Sequence, residues 1–236
     1  MEVKPIKTRL FKERENLAEF VVAHIPKVKE GTIIVVTSKI VALAEGCTVM
    51  ITDKHTREKV IKAESDFAIK TPHTWLTLKD GLLMASAGVD ESNAVPGTII
   101  LLPKDSFKAA ATLRKQLQKR YRVKRLGVLI PDSRVLPLRA GVVGVAMGYA
   151  GFGGIRDYRG TKDLFGRVMK ISRTNLPDSL SSAAVLVMGE GTERQPLAVI
   201  SGAPVEFRER ISRKEVSIPP KDDMYRPFYE GLKKRR

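Results

Sequence analysis

The stretch Trp75-Leu-Thr-Leu-Lys-Asp-Gly-Leu-Leu-Met-Ala-Ser-Ala-Gly-Val-Asp90-Glu-Ser-Asn93 holds two apolar runs around Lys79-Asp80-Gly81. Gly81 can take positive φ, so Trp75 to Leu78 and Leu82 to Ala87 are predicted to form a hairpin with Asp90 at its exit. A carboxylate at a strand end can be aimed rigidly into a cleft, where it can hold a hard metal ion. Read alone, Asp90 is better taken as a cap of the Glu91-Ser-Asn turn. The arrangement recurs. The apolar run Leu126 to Ile130 leads into a second turn, Ile130-Pro-Asp-Ser133, and Met188-Gly-Glu-Gly-Thr-Glu-Arg-Gln195 forms a third acidic turn. Together Asp90, Asp132 and Glu190 suggest one oxygen-ligand site.

Outward from these turns, strand-like and helix-like segments alternate, which predicts a mixed α and β fold. Thr32 to Thr37 reads as a short β-branched strand ending at Ser38-Lys39. Glu58 to Lys70 reads as a helix, with Val60, Ala63 and Phe67 at helical spacing. Thr98 to Leu102 is a further strand. Asp105 or Ser106 can cap a helix with Phe107, Ala110, Leu113, Leu117 and Tyr121 on one side and Lys108, Lys115, Lys119 and Arg122 on the wet side. Arg139 to Gly160 contains seven glycines. It matches neither a phosphate-binding Walker loop, since no glycine directly precedes Lys162, nor the dinucleotide fingerprint, where Arg156 replaces the last glycine. Pro177-Asp178 starts a helix bearing Leu180, Ala183, Ala184, Val187 and Met188, and Pro196 to Ile200 is the last strand. The charged, proline-containing remainder is expected to form a surface arm.

The chain has 236 residues, 43% of them hydrophobic, enough for a substantial core. Cys47 is the single cysteine, which excludes an internal disulfide, and it reads as a small buried side chain. His24, His55 and His73 are too widely spaced for a zinc pattern. The start lacks a signal-peptide core, and the longest uncharged stretch, Ala140 to Ile155, is too short to span a bilayer, so a cytoplasmic protein is expected. The formal charge of +16 favours encounter with polyanions, nucleic acid and nucleotide triphosphates alike. The clusters Lys119 to Arg125 and Lys233 to Arg236 are compatible with nucleic-acid binding or with a solvated helix face and tail.

Five stretches, in order, carry a resemblance. They are Thr37-Ser-Lys-Ile-Val41 with Ala44-Glu-Gly46; Ala87-Gly-Val-Asp-Glu-Ser-Asn93; Gly127-Val-Leu-Ile-Pro-Asp-Ser133 with Pro137-Leu-Arg139; Asp157-Tyr-Arg-Gly160 with Asp163; and Val187-Met-Gly-Glu190. Over about residues 30 to 205 the chain resembles the coenzyme F420-0:gamma-glutamyl ligases. The resemblance implies an α+β fold, two-lobed and mixed α/β with antiparallel-rich sheets, in an intertwined homodimer. It implies a ligase-like unit over 1–205 and a basic arm over 206–236.

It further implies that L-glutamate is added to the carboxylate of coenzyme F420-0, or of a related small molecule such as folate, with GTP as co-substrate. Asp90, Asp132 and Ser133 fall at the family's metal-ligand positions, and Glu190 where a glutamine ligand is usual. Two divalent cations, Mg2+ or Mn2+, and K+ are implied. Ser38, Lys39, Asn93, Met188, Gly189, Gly191, Thr192 and Gln195 fall where the family contacts GTP. Arg139 or Arg159 would hold a substrate carboxylate, and Asp157 or Asp163 would support these arginines, orient the amine, or brace the glycine-rich loop. The chain departs from the pattern at Leu43, where a lysine is common, at Leu138, where an aromatic is usual, and at Thr8 to Arg14, which replaces a glycine-proline segment. The alternatives are a nucleotide-binding homologue without ligation and a basic nucleic-acid-binding protein.

Overall fold

A computed structural model of the chain describes residues 1–228; the basic cluster Lys233 to Arg236 lies outside them. In chain order the regular elements are β1 (Glu2–Ile6), α1 (Leu17–His24), β2 (Thr32–Val36), α2 (Ser38–Glu45), β3 (Thr48–Met50), α3 (Lys54–Ala63), β4 (Phe67–Lys70), β5 (Trp75–Lys79), β6 (Leu82–Ala85), β7 (Thr98–Ile100), α4 (Ser106–Tyr121), β8 (Leu126–Val135), β9 (Val142–Ala150), β10 (Ile155–Asp157), β11 (Arg173–Asn175), α5 (Leu176–Met188) and β12 (Leu197–Ser201). The fold is mixed α/β with antiparallel-rich sheets, as expected. Among the described residues, no helix is long and apolar enough to cross a membrane.

The central sheet has the order β1-β12-β2-β8-β9, in which only β2 and β8 pair in parallel. All five residues of β2 are buried, as suits a strand covered on both faces. On one face Ile34, Val36, Val128 and Ile130 pack with Phe20 of α1, Ile40 and Val41 of α2, and Leu113 and Leu117 of α4. On the other, Ile33, Val35, Leu129 and Ala198 pack with Leu180, Ala184 and Met188 of α5. Two glycines of β9 let the helices approach the sheet backbone. A Cβ on Gly144 would lie 2.2 Å from the Ser181 carbonyl oxygen, and one on Gly148 would lie 2.3 Å from the Ser106 carbonyl carbon. The two contacts face opposite layers because the β8–β9 register slips between Ile130 and Pro131, a bulge that interrupts strict alternation.

That bulge also corrects an expectation. Ile130 to Ser133 is not a turn: β8 continues through it to Val135, paired with β9 as far as Val135↔Val142. Because β2 stops at Val36 while β8 runs on, Asp132 and Ser133 extend beyond their parallel neighbour, beside the start of α2. The crevice past the carboxyl ends of parallel strands is the usual ligand position in such sheets.

The hairpin expected at Trp75 forms as β5 and β6, with Asp80 and Gly81 both at positive φ in its turn. Trp75 is buried in a small satellite core with Ile61, Val89 and Ile99. The helix expected over Glu58 to Lys70 is displaced. Asp53 accepts a hydrogen bond from the Thr56 amide and starts α3 at Lys54, and the helix ends at Ala63. Phe67 to Lys70 instead pair with Trp75 to Leu78, so ladder bonds to a neighbouring strand outweigh helical spacing.

The segment after Ser201 lies on the surface but is tied down. Phe207 bridges Phe152, and Glu209 accepts two hydrogen bonds from buried Arg114 at 2.9 and 2.7 Å. Glu215 accepts from the Gly154 amide at 2.8 Å. Arg114 on α4 went unmarked in the sequence because its apolar stem occupies a core position of the helix.

Candidate functional site

Four chain segments meet at the end of the central sheet: the start of α2, the turn after β6, the extension of β8, and the loop from α5 to β12. They enclose a cavity of about 410 Å³ lined by Ser38, Lys39, Asp90, Asn93, Asp132, Ser133 and the run from Met188 to Pro196. Thr8, Arg9, Leu10 and Phe11 also line it. This N-terminal segment carried no transferable motif, yet its Thr8 amide donates to the Arg194 carbonyl at 2.9 Å and ties it to the loop.

Each carboxylate arrives by a local device. Thr77 accepts from the Ala87 amide at 2.7 Å and donates to the Met84 carbonyl at 2.8 Å, holding the Ser86–Gly88 turn in which Ser86 and Ala87 take φ of 50° and 55°. Positive φ in non-glycine residues stores strain that the surrounding bonds must hold. The chain leaves this turn so that Asp90 exchanges backbone hydrogen bonds with Ile100. Its carboxylate then accepts from the Ser92 amide at 2.6 Å and meets the Lys39 ammonium at 2.8 Å. Burial pushes the Asp90 carboxyl up, but the hydrogen bonds from Lys39 and Ser92 more than offset this and hold it below its ordinary value.

Strand alternation turns Asp132 toward α2, where the Ser38 hydroxyl donates to it at 2.8 Å, and Arg134, two residues on, meets its other oxygen at 3.0 Å. Ser133 points the other way, toward Glu190. The Glu190 carboxyl is raised, first by partial burial, although the residue as a whole is exposed, and further by the negative charges of Asp132 and Asp90. Ser133 and Lys39 oppose that shift.

The loop that follows uses glycine where it must. Gly189 ends α5 at φ 79°, and the Gly191 amide donates to Glu193 at 2.8 Å. Exposed amides beside glycines suit oxyanions. Asn93, itself at φ 56°, donates from its side chain to the Gly191 carbonyl at 3.4 Å, bringing the turn that carries Asp90 against the loop. Met188 is buried and anchors the helix end, while Thr192 and Gln195 line the cavity.

Asp90, Asp132, Ser133 and Glu190 supply hard oxygen donors of the kind that Mg2+ or Mn2+ takes. Asp132 and Asp90 both add negative charge beside Glu190, which a bound cation would offset, as Lys39 does in part. Among the described residues, however, no three acidic, histidine or cysteine side chains are grouped as ready ligands. Asp90 is engaged by Lys39, and Asp132 by Ser38 and Arg134, so an ion would have to replace these partners.

Three residues expected to act on substrate carboxylates or the amine lie outside the lining of this cavity. Arg139 lies in the exposed turn between β8 and β9, and Asp157 and Arg159 lie on and after β10; none lines the cavity. Asp157 and Arg159 satisfy one another, with the arginine Nε 2.9 Å from a carboxylate oxygen, and Arg159 holds the Asp157 carboxyl down at about 2. Asp163 likewise accepts from the Phe165 and Arg167 amides at 2.8 and 2.9 Å and closes its own loop. The arginine that does reach the carboxylates is Arg134. An arginine two residues beyond Asp132 on one strand face was the available signal for it.

The convergence of four of the five ordered stretches on one cavity agrees with whole-chain comparison. A family model described as F420-0:Gamma-glutamyl ligase matches residues 5–202. The Coenzyme F420:L-glutamate ligase of Methanopyrus kandleri is 32% identical over 251 residues, covering 94% of this chain and 96% of the relative. Its counterpart in Methanocaldococcus jannaschii is 34% identical over 246 residues, covering 96% and 97%. A protein of the same description from Methanococcus maripaludis reaches 40% over 167 residues, covering 68% and 66%. With the match spanning the sheet, α5 and the loop that closes the cavity, this chain is an enzyme of the F420-0:gamma-glutamyl ligase family.

Proposed function

We propose that the protein is a GTP-dependent ligase that adds L-glutamate to the carboxylate of coenzyme F420-0 or a related small acid. The observation that carries this reading is the lining of one cavity of about 410 Å³ by Ser38, Lys39, Asp90, Asn93, Asp132, Ser133, Glu190 and the Met188–Gln195 loop. The relatives' description as Coenzyme F420:L-glutamate ligases supports the substrate pair.

In the proposed reaction an acceptor carboxylate oxygen bonds to the γ-phosphorus of GTP as the bond to the β–γ bridging oxygen breaks, releasing GDP. The glutamate amine, having lost a proton, then attacks the acyl phosphate carbon, and inorganic phosphate leaves with the bonding pair of the C–O bond. The Gly191 amide would exchange its Glu193 partner for a phosphate oxygen, and Lys39 adds a compact positive charge in the same cavity. Asp90, Asp132, Ser133 and Glu190 would hold two divalent ions. Such ions neutralise charge on the β and γ oxygens when the triphosphate is bound. Ser38 fixes the orientation of the Asp132 carboxylate from the start of α2.

We also propose that the enzyme self-associates. Leu138 after β8 and Leu164, Phe165 and Ile171 between β10 and β11 are each more than four-fifths exposed, and a second copy placed over them would remove that apolar area from water. Sedimentation of the wild-type protein and of Leu164→Asp/Phe165→Asp tests this; a monomer in both cases removes the proposal.

The ligase reading is tested with GTP, Mn2+, labelled glutamate and coenzyme F420-0, followed by mass detection of a product heavier by one glutamyl unit. The double variant Asp90→Asn/Asp132→Asn is expected to lose this product. Undiminished ligation in that variant overturns the metal assignment, and no metal-dependent product from the wild type across a panel of acids overturns the reading.

A further inference from the structure

A second, smaller cavity of about 210 Å³ shares Ser38, Lys39, Asp90, Asp132 and Ser133 with the first and is also lined by Arg134. The carboxylates therefore form a partition with a chamber on each side. The far walls differ in kind: the first chamber is closed by the polar Met188–Gln195 loop, the second largely by Val89, Leu102, Val135 and Val142.

Arg134 is the unusual group in the second chamber. Its side chain is 7% exposed, so the cation is almost wholly withdrawn from water. One terminal nitrogen lies 3.0 Å from Asp132, the other lies 3.1 Å from the Met147 sulfur, and Nε has no acceptor. A guanidinium offers five donors, and a thioether is a weak acceptor. A buried cation left with one carboxylate oxygen is costly, and such under-satisfied groups in native folds call for an explanation. Its planar fork matches a carboxylate with two parallel hydrogen bonds. The chamber's volume is too small for a nucleotide, and its apolar walls suit the aliphatic part of a small acid.

We propose that this second chamber binds a carboxylate of one of the two non-nucleotide substrates, with Arg134 as the group that recognises it. The carboxylate would complete the coordination of the guanidinium and sit across the Asp90–Asp132 partition from the nucleotide. The identity of the acids rests on the ligase reading, whereas the binding of a carboxylate does not.

The test is calorimetric titration of L-glutamate, and separately of coenzyme F420-0, into protein holding GDP and Mg2+, with GDP affinity measured in parallel. Arg134→Gln is expected to weaken one of the two acids at least tenfold and to leave GDP within twofold, with Arg134→Lys recovering part of the loss. Which acid weakens identifies the occupant. Val142→Phe keeps the arginine but narrows the chamber, and is expected to weaken the same acid. Unchanged affinity for both acids in Arg134→Gln overturns the proposal, as does a matching loss of GDP affinity, which makes Arg134 only a brace for Asp132. If Arg134→Gln does not melt cooperatively, Val142→Phe decides, and unchanged affinities there overturn the proposal. Wild-type protein that binds neither acid also overturns it. Arg134-dependent binding without any glutamyl product preserves this inference and defeats the ligase reading. Product formation with unaltered KM for both acids in Arg134→Gln does the reverse.

Discussion

The cavity end of the central sheet and the β10–β11 arm, residues 155–175, carry the same kinds of charged side chain and use them differently. At the cavity, Ser38 and Asp132 are 94 residues apart in the chain, Lys39 and Ser92 are 53 apart, and Asn93 and Gly191 are 98 apart. On the arm, Arg159 pairs with Asp157 two residues away and Arg167 with Asp163 four away. Local pairs close on themselves and leave no charge to spare. At the cavity the fold makes partners shared: Asp132 divides its oxygens between Arg134, two residues away, and distant Ser38, which leaves Arg134 short of acceptors, and burial beside Asp132 and Asp90 leaves Glu190 with a raised carboxyl. A charged motif therefore indicates chemistry less by its composition than by whether its neighbours in sequence can satisfy it.

The comparison breaks most readily at Asp132. Asp132→Ala should lower ligation by about a hundredfold or more, the scale seen when a preorganised electrostatic group is removed. It should also cost roughly 3 kcal/mol of stability, because Arg134 would be left buried without its carboxylate. Steady-state rates and urea unfolding measure both; a stable, active variant would mean that Arg134 needs no anionic partner.

Smaller, and purely structural, is Gly144→Ala. A methyl group there meets the backbone of α5, so the helix must move, at about 1–3 kcal/mol. Since α5 carries the Met188–Gln195 loop, nucleotide affinity should fall with stability in this variant. A melt and a GDP titration check the two together, and an intact affinity would uncouple the loop from the helix.

Titration should separate two carboxylates within the cavity. The Glu190 carboxyl is raised in the folded protein, so between its ordinary value near 4.5 and the raised one the folded state binds more protons, and stability declines as pH rises through that window. Glu190→Gln should remove this decline in metal-free buffer and leave stability below the window little changed. Asp90 has the opposite sign: its folded value is lowered, so its contribution is present above its ordinary value near 3.8 and is lost as pH falls through the folded value. Denaturant unfolding across pH with chelator present reads both slopes, and parallel profiles for wild type and Glu190→Gln would refute the first.

The least effect is expected on the arm. Asp157→Asn breaks an exposed pair two residues apart, and such pairs contribute little. Unchanged ligation by isolated protomers and an unchanged melting temperature would sharpen the contrast, while loss of ligation at constant stability would return Asp157 to the chemistry.

Much of the fold was legible because its signals are short in range. The Lys79-Asp-Gly81 turn, the Asp105 cap of α4, the apolar stripe of α5 and the all-buried β2 each follow from a few adjacent residues. The failures share one cause. Phe67 had helical spacing, but its ladder with Leu78 decided its state; Ile130 to Ser133 had turn residues, but pairing with β9 carried the strand through. Arg139 and Asp157 have the right types for a carboxylate clamp, and nothing local says that they fall outside the lining of this cavity.

The sequence by itself determined which groups could do chemistry here: carboxylates at strand ends, a lysine and serine opening a helix, and glycines that free backbone amides. It also carried the family, since those motifs keep their order along the chain. Only the tertiary structure decided that β8 outruns β2 past its bulge, so that Asp132 faces Ser38 and Arg134 comes with it behind the partition. The reason is that the direction of a side chain at the end of a sheet is set by strand register and by where the neighbouring strand stops, and both are fixed by pairing between residues far apart in sequence.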